Sequence, residues 1–266
     1  MSTVLGVLVV LALCLALLRF FAADVYDLVI VWMTARWYQA VFQRLNKGDR
    51  LLDVGIGTAS ALVRSKAEML TRRVSVVGID YEAAYVRKAE AVLKASGLWQ
   101  AVPAGTEGYR PGEFYCHVLE RSIYDNLNDL CLQVGDEPFR GEVPSEVPED
   151  QRFDAVYFSG SFSVLPDPPA ALEAVLPLMK RDGRVFLTQT FQKAPSPMLA
   201  CLKPLAKYIT TIDFGQLITE VEIERLISSA KSFEVLENRP IPGSIDTQLQ
   251  TARLIILKPK PKKPKA

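Results

Sequence analysis

The residues best suited to chemistry lie in LLDVGIGTASALV, from Leu51 to Val63. An apolar run with one acid (Leu51, Leu52, Asp53, Val54) leads into two glycines one residue apart, Gly55 and Gly57. A small polar pair, Thr58 and Ser60, and a helical pattern come next. This reads as a buried strand passing through a tight turn into a helix N-terminus. Glycine lets the backbone approach a ligand closely, and the first N–H groups of a helix have no partners inside it. A second apolar run, VSVVGID, ends on Asp80. An acid at the carboxyl edge of a parallel sheet is placed to accept hydrogen bonds from a ribose.

Two cofactor chemistries use such a turn. The nicotinamide fingerprint wants a third glycine where this chain has Ser60, so its spacing is not met. The turn resembles instead that of the class I S-adenosylmethionine-dependent methyltransferases, with LLDVGIGTA as the first motif and VVGIDYE as the second. The resemblance spans roughly residues 25 to 257. The family usually has a further glycine where this chain has Ala59. Alanine adds one methyl, and cofactor binding is expected to survive it.

The resemblance implies an α/β fold, a Rossmann-like seven-stranded methyltransferase sheet flanked by helices, with S-adenosylmethionine as cofactor. It implies that Gly55 and Gly57 line the methionine and ribose portion and that Asp53 orders the loop. Asp80 would accept from both ribose hydroxyls, and Tyr81 would lie against adenine. Ser122 and Ile123 would border the adenine, and Ser159 would stand where cofactor and acceptor meet. Many amine and adenine methylases carry an Asn-Pro-Pro-Tyr-type motif at that last point. This chain has SGSF (Ser159 to Phe162), which speaks against nucleic-acid methylation.

Composition narrows the rest. A chain of 266 residues accommodates one α/β domain with appendages. A net charge of +1 gives no global field toward nucleic acid. The four cysteines (Cys14, Cys116, Cys131, Cys201) have no metal-type spacing, so no metal site is expected and the thiols read as reduced. The mean hydropathy of +0.14 owes most of its excess to the N-terminus.

Residues Val4 to Leu18 are uninterrupted apolar. At the helical rise, residues 3–21 span roughly 28 Å, enough for a bilayer core. A cleaved signal peptide would want a positive n-region and small residues at both cleavage positions; MST and Phe21 fit poorly. A core helix would have to be buried on all sides. Residues 1–23 are therefore read as a single transmembrane anchor. Arg19, Arg36, Arg44 and Lys47 come after the apolar run and place the remaining chain in the cytosol.

The methyltransferase domain is expected over 24–257. Its first helix, 24–48, has a broad aromatic face and packs on the sheet or membrane or lids the site; Tyr26 and Trp37 are acceptor candidates. A helix is expected over Ala59 to Thr71 and another over Glu82 to Ser96, closed by Gly97. Strands are expected over Phe114 to Leu119, Phe153 to Phe158 and Arg184 to Thr190. A short helix is read within Tyr124 to Val134, and a longer one over Ala170 to Lys180 before a turn at Gly183. Residues 133–152 form an acidic, Pro/Gly-rich loop, and 193–232 a helical acceptor cap. Strands over Phe233 to Glu237 and Ala252 to Leu257 match the antiparallel closing pair of the family's sheet. The run 258–266, KPKPKKPKA, reads as an extended, solvated tail.

His117, the only histidine, reads as a packed strand residue. Methyl transfer from a sulfonium needs positioning more than acid–base groups, so no catalytic residue is designated. Ser161 and Asp213 join Tyr26 and Trp37 as acceptor candidates. The expected activity is methyl transfer to a small or lipid-like acceptor at a membrane. The alternatives are a non-catalytic methyltransferase-like scaffold and a nicotinamide-dependent reductase.

Overall fold

The computed structural model describes Gly6 and residues 31–99, 114–133, 139–193 and 218–261. Helix α1 is described over 31–42. Next come β1 (Arg50–Val54), α2 (Ser60–Arg64), α3 (Lys66–Arg72), β2 (Ser75–Asp80) and α4 (Ala83–Ser96). The second half runs β3 (Cys116–Glu120), α5 (Asn128–Leu132), β4 (Phe153–Ser159), α6 (Pro168–Val175), β5 (Met179–Gln192), α7 (Glu220–Ser229), β6 (Phe233–Pro240) and β7 (Gln250–Pro259).

The strands form one seven-stranded sheet in the order β3-β2-β1-β4-β5-β7-β6, with β7 antiparallel to both neighbours. Every residue of β1 and β2 is buried, as a parallel sheet covered on both faces requires. Alternation along β1 sends Leu51 into one core and Leu52 and Val54 into the other. The first core is roofed by α1 to α4, the second by α5 to α7.

The direction of α1 is fixed by contacts from its middle and from just past its carboxyl end. Past its carboxyl end, Leu45 O accepts from Arg72 Nη1 at 2.7 Å, and Gly48 N donates to Arg72 O at 2.8 Å, beside the start of β2. From its middle, Tyr38 reaches Asp53 and Trp37 reaches Ser244, close to where β1 and β6 finish. So α1 runs antiparallel to β1, and its amino end stands at the carboxyl edge of the parallel strands. That is the edge where open α/β sheets bind ligands.

Several sequence expectations shift. The single helix over Ala59 to Thr71 breaks at Ser65, whose hydroxyl donates to Ala35 O of α1 at 2.8 Å. The helix expected to reach Lys180 ends at Val175 and passes into a 3-10 turn containing Pro177. Gly183 lies inside a 14-residue β5, in the bulge where Phe153 pairs with Met179 but Ala155 with Arg184, so the chain turns there without leaving the strand. A Cβ there would stand 3.0 Å from Asp154 O, where the β4–β5 register shifts, so the glycine serves a close strand approach. The short helix narrows to α5. β7 continues through Pro259 into the expected tail, with Lys258 paired to Glu234 at 3.2 Å. In the acidic loop, Val147 is buried and Glu149–Gln151 form a 3-10 turn.

Among the described residues no helix is long and apolar enough to cross a membrane. All of 3–21 except Gly6, together with Tyr26, Asp213 and 194–217 of the expected cap, lies outside the described residues.

Candidate active site

The glycine turn leaves the carboxyl end of β1 with Gly55 at φ 73° and Gly57 at φ 60°, both in the left-handed region. Gly55 N and Ile56 N donate to Ile79 O at 2.8 and 3.2 Å, tying the turn to β2. Around Gly57 nothing stands within 4 Å of an added Cβ, so the turn is open there. Around Gly55 an added Cβ would meet Ser161 Cβ at 2.6 Å. Ser161 itself donates to Val54 O at 2.5 Å, so it clips the loop after β4 onto the glycine turn.

Ala59 holds φ 56° and ψ 6° as the N-cap of α2, and its methyl is buried. The chain thus keeps the left-handed backbone at the position where the family usually has glycine. The cost for a residue with a Cβ is about 1 kcal/mol.

Asp80 closes the turn from the side. Its Oδ2 accepts from Gly57 N at 3.0 Å and its Oδ1 from Glu82 N at 2.9 Å. Burial pushes its carboxyl up, and these two N–H groups hold it back. The carboxylate keeps further lone pairs for a ligand's hydroxyls. Beside it Tyr81 is 76% exposed, a free aromatic face. Ser122 is half-buried, and Arg121 N donates to Asp80 O at 3.0 Å, so the β3 turn borders the same place. Ile123, by contrast, sits in the core beneath α5 to α7, so of that pair only Ser122 is open to a ligand.

The resemblance assigns loop ordering to Asp53, but the hydrogen bond to the loop comes from Asp80. Asp53 lies on the same face of the sheet as Asp80 but reaches α1 instead of the loop. It is buried, and its Oδ2 accepts from the Tyr38 hydroxyl of α1 at 2.5 Å. Its Oδ1 has no partner among the described residues. Burial raises the Asp53 carboxyl to about 7; the Tyr38 hydrogen bond opposes this, and the charge of Asp80 adds to it. Tyr157 packs edge-on against Tyr38 with ring centroids 5.0 Å apart, and its hydroxyl lies 2.8 Å from Thr188 Oγ1. Nothing in the sequence marks Tyr38 beyond its place on the aromatic face of the first helix.

Trp37 is buried, not poised as an open lid. Its Nε1 donates to Ser244 Oγ at 2.9 Å, and its ring stands 3.3 Å from where a Cβ on Gly160 would be. Ser159, at the end of β4, is half-buried. His117 is buried in β3, and burial, aided by the Arg50 charge, lowers its pKa to about 3. It is therefore a neutral core residue. No group of metal-ligating side chains is gathered among the described residues.

An open glycine turn, a carboxylate beside it and a free aromatic face fit the three parts of S-adenosylmethionine: the methionine chain, the ribose diol and the adenine. Comparisons with known proteins agree. A methyltransferase domain family matches residues 24–237. The phosphatidylethanolamine N-methyltransferase of Cereibacter sphaeroides is 24% identical over 208 residues, 78% of this chain and 81% of that protein.

Solved structures share the fold. The mitomycin 7-O-methyltransferase MmcR matches with a TM-score of 0.55 at 12% identity over 86% of this chain, which spans about half (54%) of that longer protein. The [4+2]-cyclase SpnF gives 0.53 at 16% identity, covering 85% of this chain and 81% of its own. A SAM-dependent methyltransferase from Aquifex aeolicus gives 0.50 at 14% identity, covering 82% and 88%. A cyclase among them shows that the fold alone does not decide the chemistry. The family match does: the chain belongs to the methyltransferase domain family and is an S-adenosylmethionine-dependent methyltransferase.

Proposed function

We propose that this enzyme methylates a small or lipid-like acceptor at a membrane surface, held there by residues 3–21 as a single-pass anchor with the catalytic domain in the cytosol. The observation that carries this reading is the uninterrupted apolar run from Val4 to Leu18, with basic residues on one side only. A relative that bears the name of a phospholipid amine methyltransferase supports a lipid acceptor.

In this reading Gly55 and Gly57 line the methionine and ribose portion, Asp80 accepts from the ribose hydroxyls, and Tyr81 covers the adenine. Ser122 and Ser159 border the pocket. The bound cofactor supplies an electrophilic methyl group on a sulfonium. The protein's own part is to fix the turn through Asp80 and Ser161, to exclude water, and to hold the acceptor in line. A phospholipid amine first loses its ammonium proton to water to expose the lone pair that takes the methyl group; the buried His117 is not placed to receive that proton.

The test is transfer of a radiolabelled methyl group by the full-length protein in vesicles of phosphatidylethanolamine and phosphatidylcholine. Label in the lipid fraction, lost in Asp80→Ala, is the expected result. Label found only in added water-soluble amines or phenols would refute the lipid acceptor.

A further inference from the structure

Single exposed apolar side chains are ordinary on a protein surface, but their gathering on one side is not. Eleven large apolar side chains are exposed among the described residues. Apart from Tyr81 in the cofactor site, six of them stand at the ligand edge of the sheet. Trp32 is in α1 ahead of the Trp37 and Tyr38 contacts, and Tyr85 is in the first turn of α4, after β2. Tyr124 and Val164 come after β3 and β4, and the Tyr124 hydroxyl bridges the two loops by donating to Asp167 O at 3.0 Å. Val221 opens α7 just after Thr219, which bridges Gln192 at the end of β5, and Leu249 O accepts from Lys193 N at 2.9 Å. The other four, Leu70, Val143, Val235 and Leu236, lie away from this edge.

Two further observations say what covers this edge. The first described residues of α1 stand there, so the chain that carries the apolar run Val4 to Leu18 enters the described domain on this side. Arg36, one turn after Trp32 on α1, holds its guanidinium 4.5 Å above the ring of Trp32 and has no carboxylate partner among the described residues. It lies against the turn at Gly243, where an added Cβ would meet its Nη1 at 2.5 Å. That turn is fastened to β7 at both ends: Ile241 N donates to Ala252 O at 2.9 Å, and Ala252 N to Ile245 O at 2.7 Å. A cation without a carboxylate among the described residues, stacked on a half-exposed indole, suits the level where lipid phosphates meet acyl chains.

We infer that the ligand edge of the sheet is the face seated on the lipid bilayer, with Trp32, Val164 and Leu249 touching the interface and Arg36 facing lipid phosphate. This rests on the membrane reading above and adds the orientation of the domain. The cofactor turn then opens toward the bilayer, and a lipid acceptor reaches it without crossing bulk water.

The test uses the full chain in a Cys14→Ser, Cys201→Ser background, in which the remaining thiols Cys116 and Cys131 are buried. An environment-sensitive fluorophore is attached to Val164→Cys, Leu249→Cys or Leu236→Cys, and vesicles of phosphatidylethanolamine, phosphatidylcholine and phosphatidylglycerol are added. A blue shift at positions 164 and 249 with none at 236 is expected. A shift at 236, or none at 164 and 249 in a chain that floats with the vesicles, overturns the orientation while leaving membrane attachment intact. A chain that does not float overturns both.

Discussion

The two ends of β1 each bury a charged side chain and treat it in opposite ways. At the amino end Arg50 is fully buried and donates to four carbonyls: Leu130 at 2.7 Å, Cys131 at 2.7 Å, Gln151 at 2.8 Å and Gln133 at 3.1 Å. Its guanidinium also lies 4.4 Å from the centre of the Phe153 ring. Near the carboxyl end, Asp53 has one partner, Tyr38, and one oxygen with none among the described residues. Buried polar groups left short of partners are costly, so a chain carries them where they serve something besides stability. The amino end of this strand closes the fold. The carboxyl end keeps unsatisfied polarity beside the cofactor turn.

That contrast predicts a stability defect at one end and functional or pH effects at the other. Arg50→Met strands three buried carbonyls and the half-buried one of Gln151, and should destabilise the domain by about 3–5 kcal/mol in urea unfolding. If the loss is under about 1 kcal/mol, Arg50 does not close the fold.

Asp53→Asn should change the pH dependence instead. The folded state holds the Asp53 proton up to about 7, against an ordinary carboxyl value of 3.8. The stability this gives wild type is complete below the lower value and is lost as pH rises through the upper one. Relative to Asp53→Asn, wild type should therefore lose about 1.4 kcal/mol per pH unit between about pH 5 and 7 and level off above, measured as paired unfolding curves. Parallel curves would mean that Asp53 titrates normally.

Asp80→Ala should weaken S-adenosylmethionine binding by about 10- to 100-fold in calorimetry while the circular dichroism spectrum is kept. Equal affinity would remove Asp80 from the site. The smallest effect belongs to Tyr38→Phe, which deletes one hydroxyl at about 1 kcal/mol. Because the Tyr38 hydrogen bond pulls the Asp53 carboxyl down, this variant should also move the Asp53 titration upward.

Where the chain reads locally, its sequence is a good guide. The buried runs of β1 and β2, the two glycines and the terminal Asp80 all arise from residue types a few positions apart, whereas the antiparallel placing of β7 follows from the family resemblance. What escapes depends on contacts between distant segments. Ser65 ends a helix because its hydroxyl meets α1, 30 residues earlier. Trp37 is fixed by Ser244, 207 residues away, so its aromatic character alone suggests a lid. Arg50 opens β1 as a residue type that is seldom fully buried, and only α5 and the loop before β4 supply its carbonyls. At Ala59 the residue differs from the family's glycine but the backbone keeps the left-handed turn, and φ is invisible in a sequence.

A carboxyl poised near neutrality beside the cofactor turn makes capture of a sulfonium a proton-linked event. A cation arriving near Asp53 and Asp80 favours their ionised forms, so part of a proton should leave the protein on binding. The buffer takes up that proton, and the observed heat then depends on the buffer's own ionisation enthalpy. Binding should be more exothermic in Tris than in phosphate at the same pH near 7, and this gap should close in Asp53→Asn.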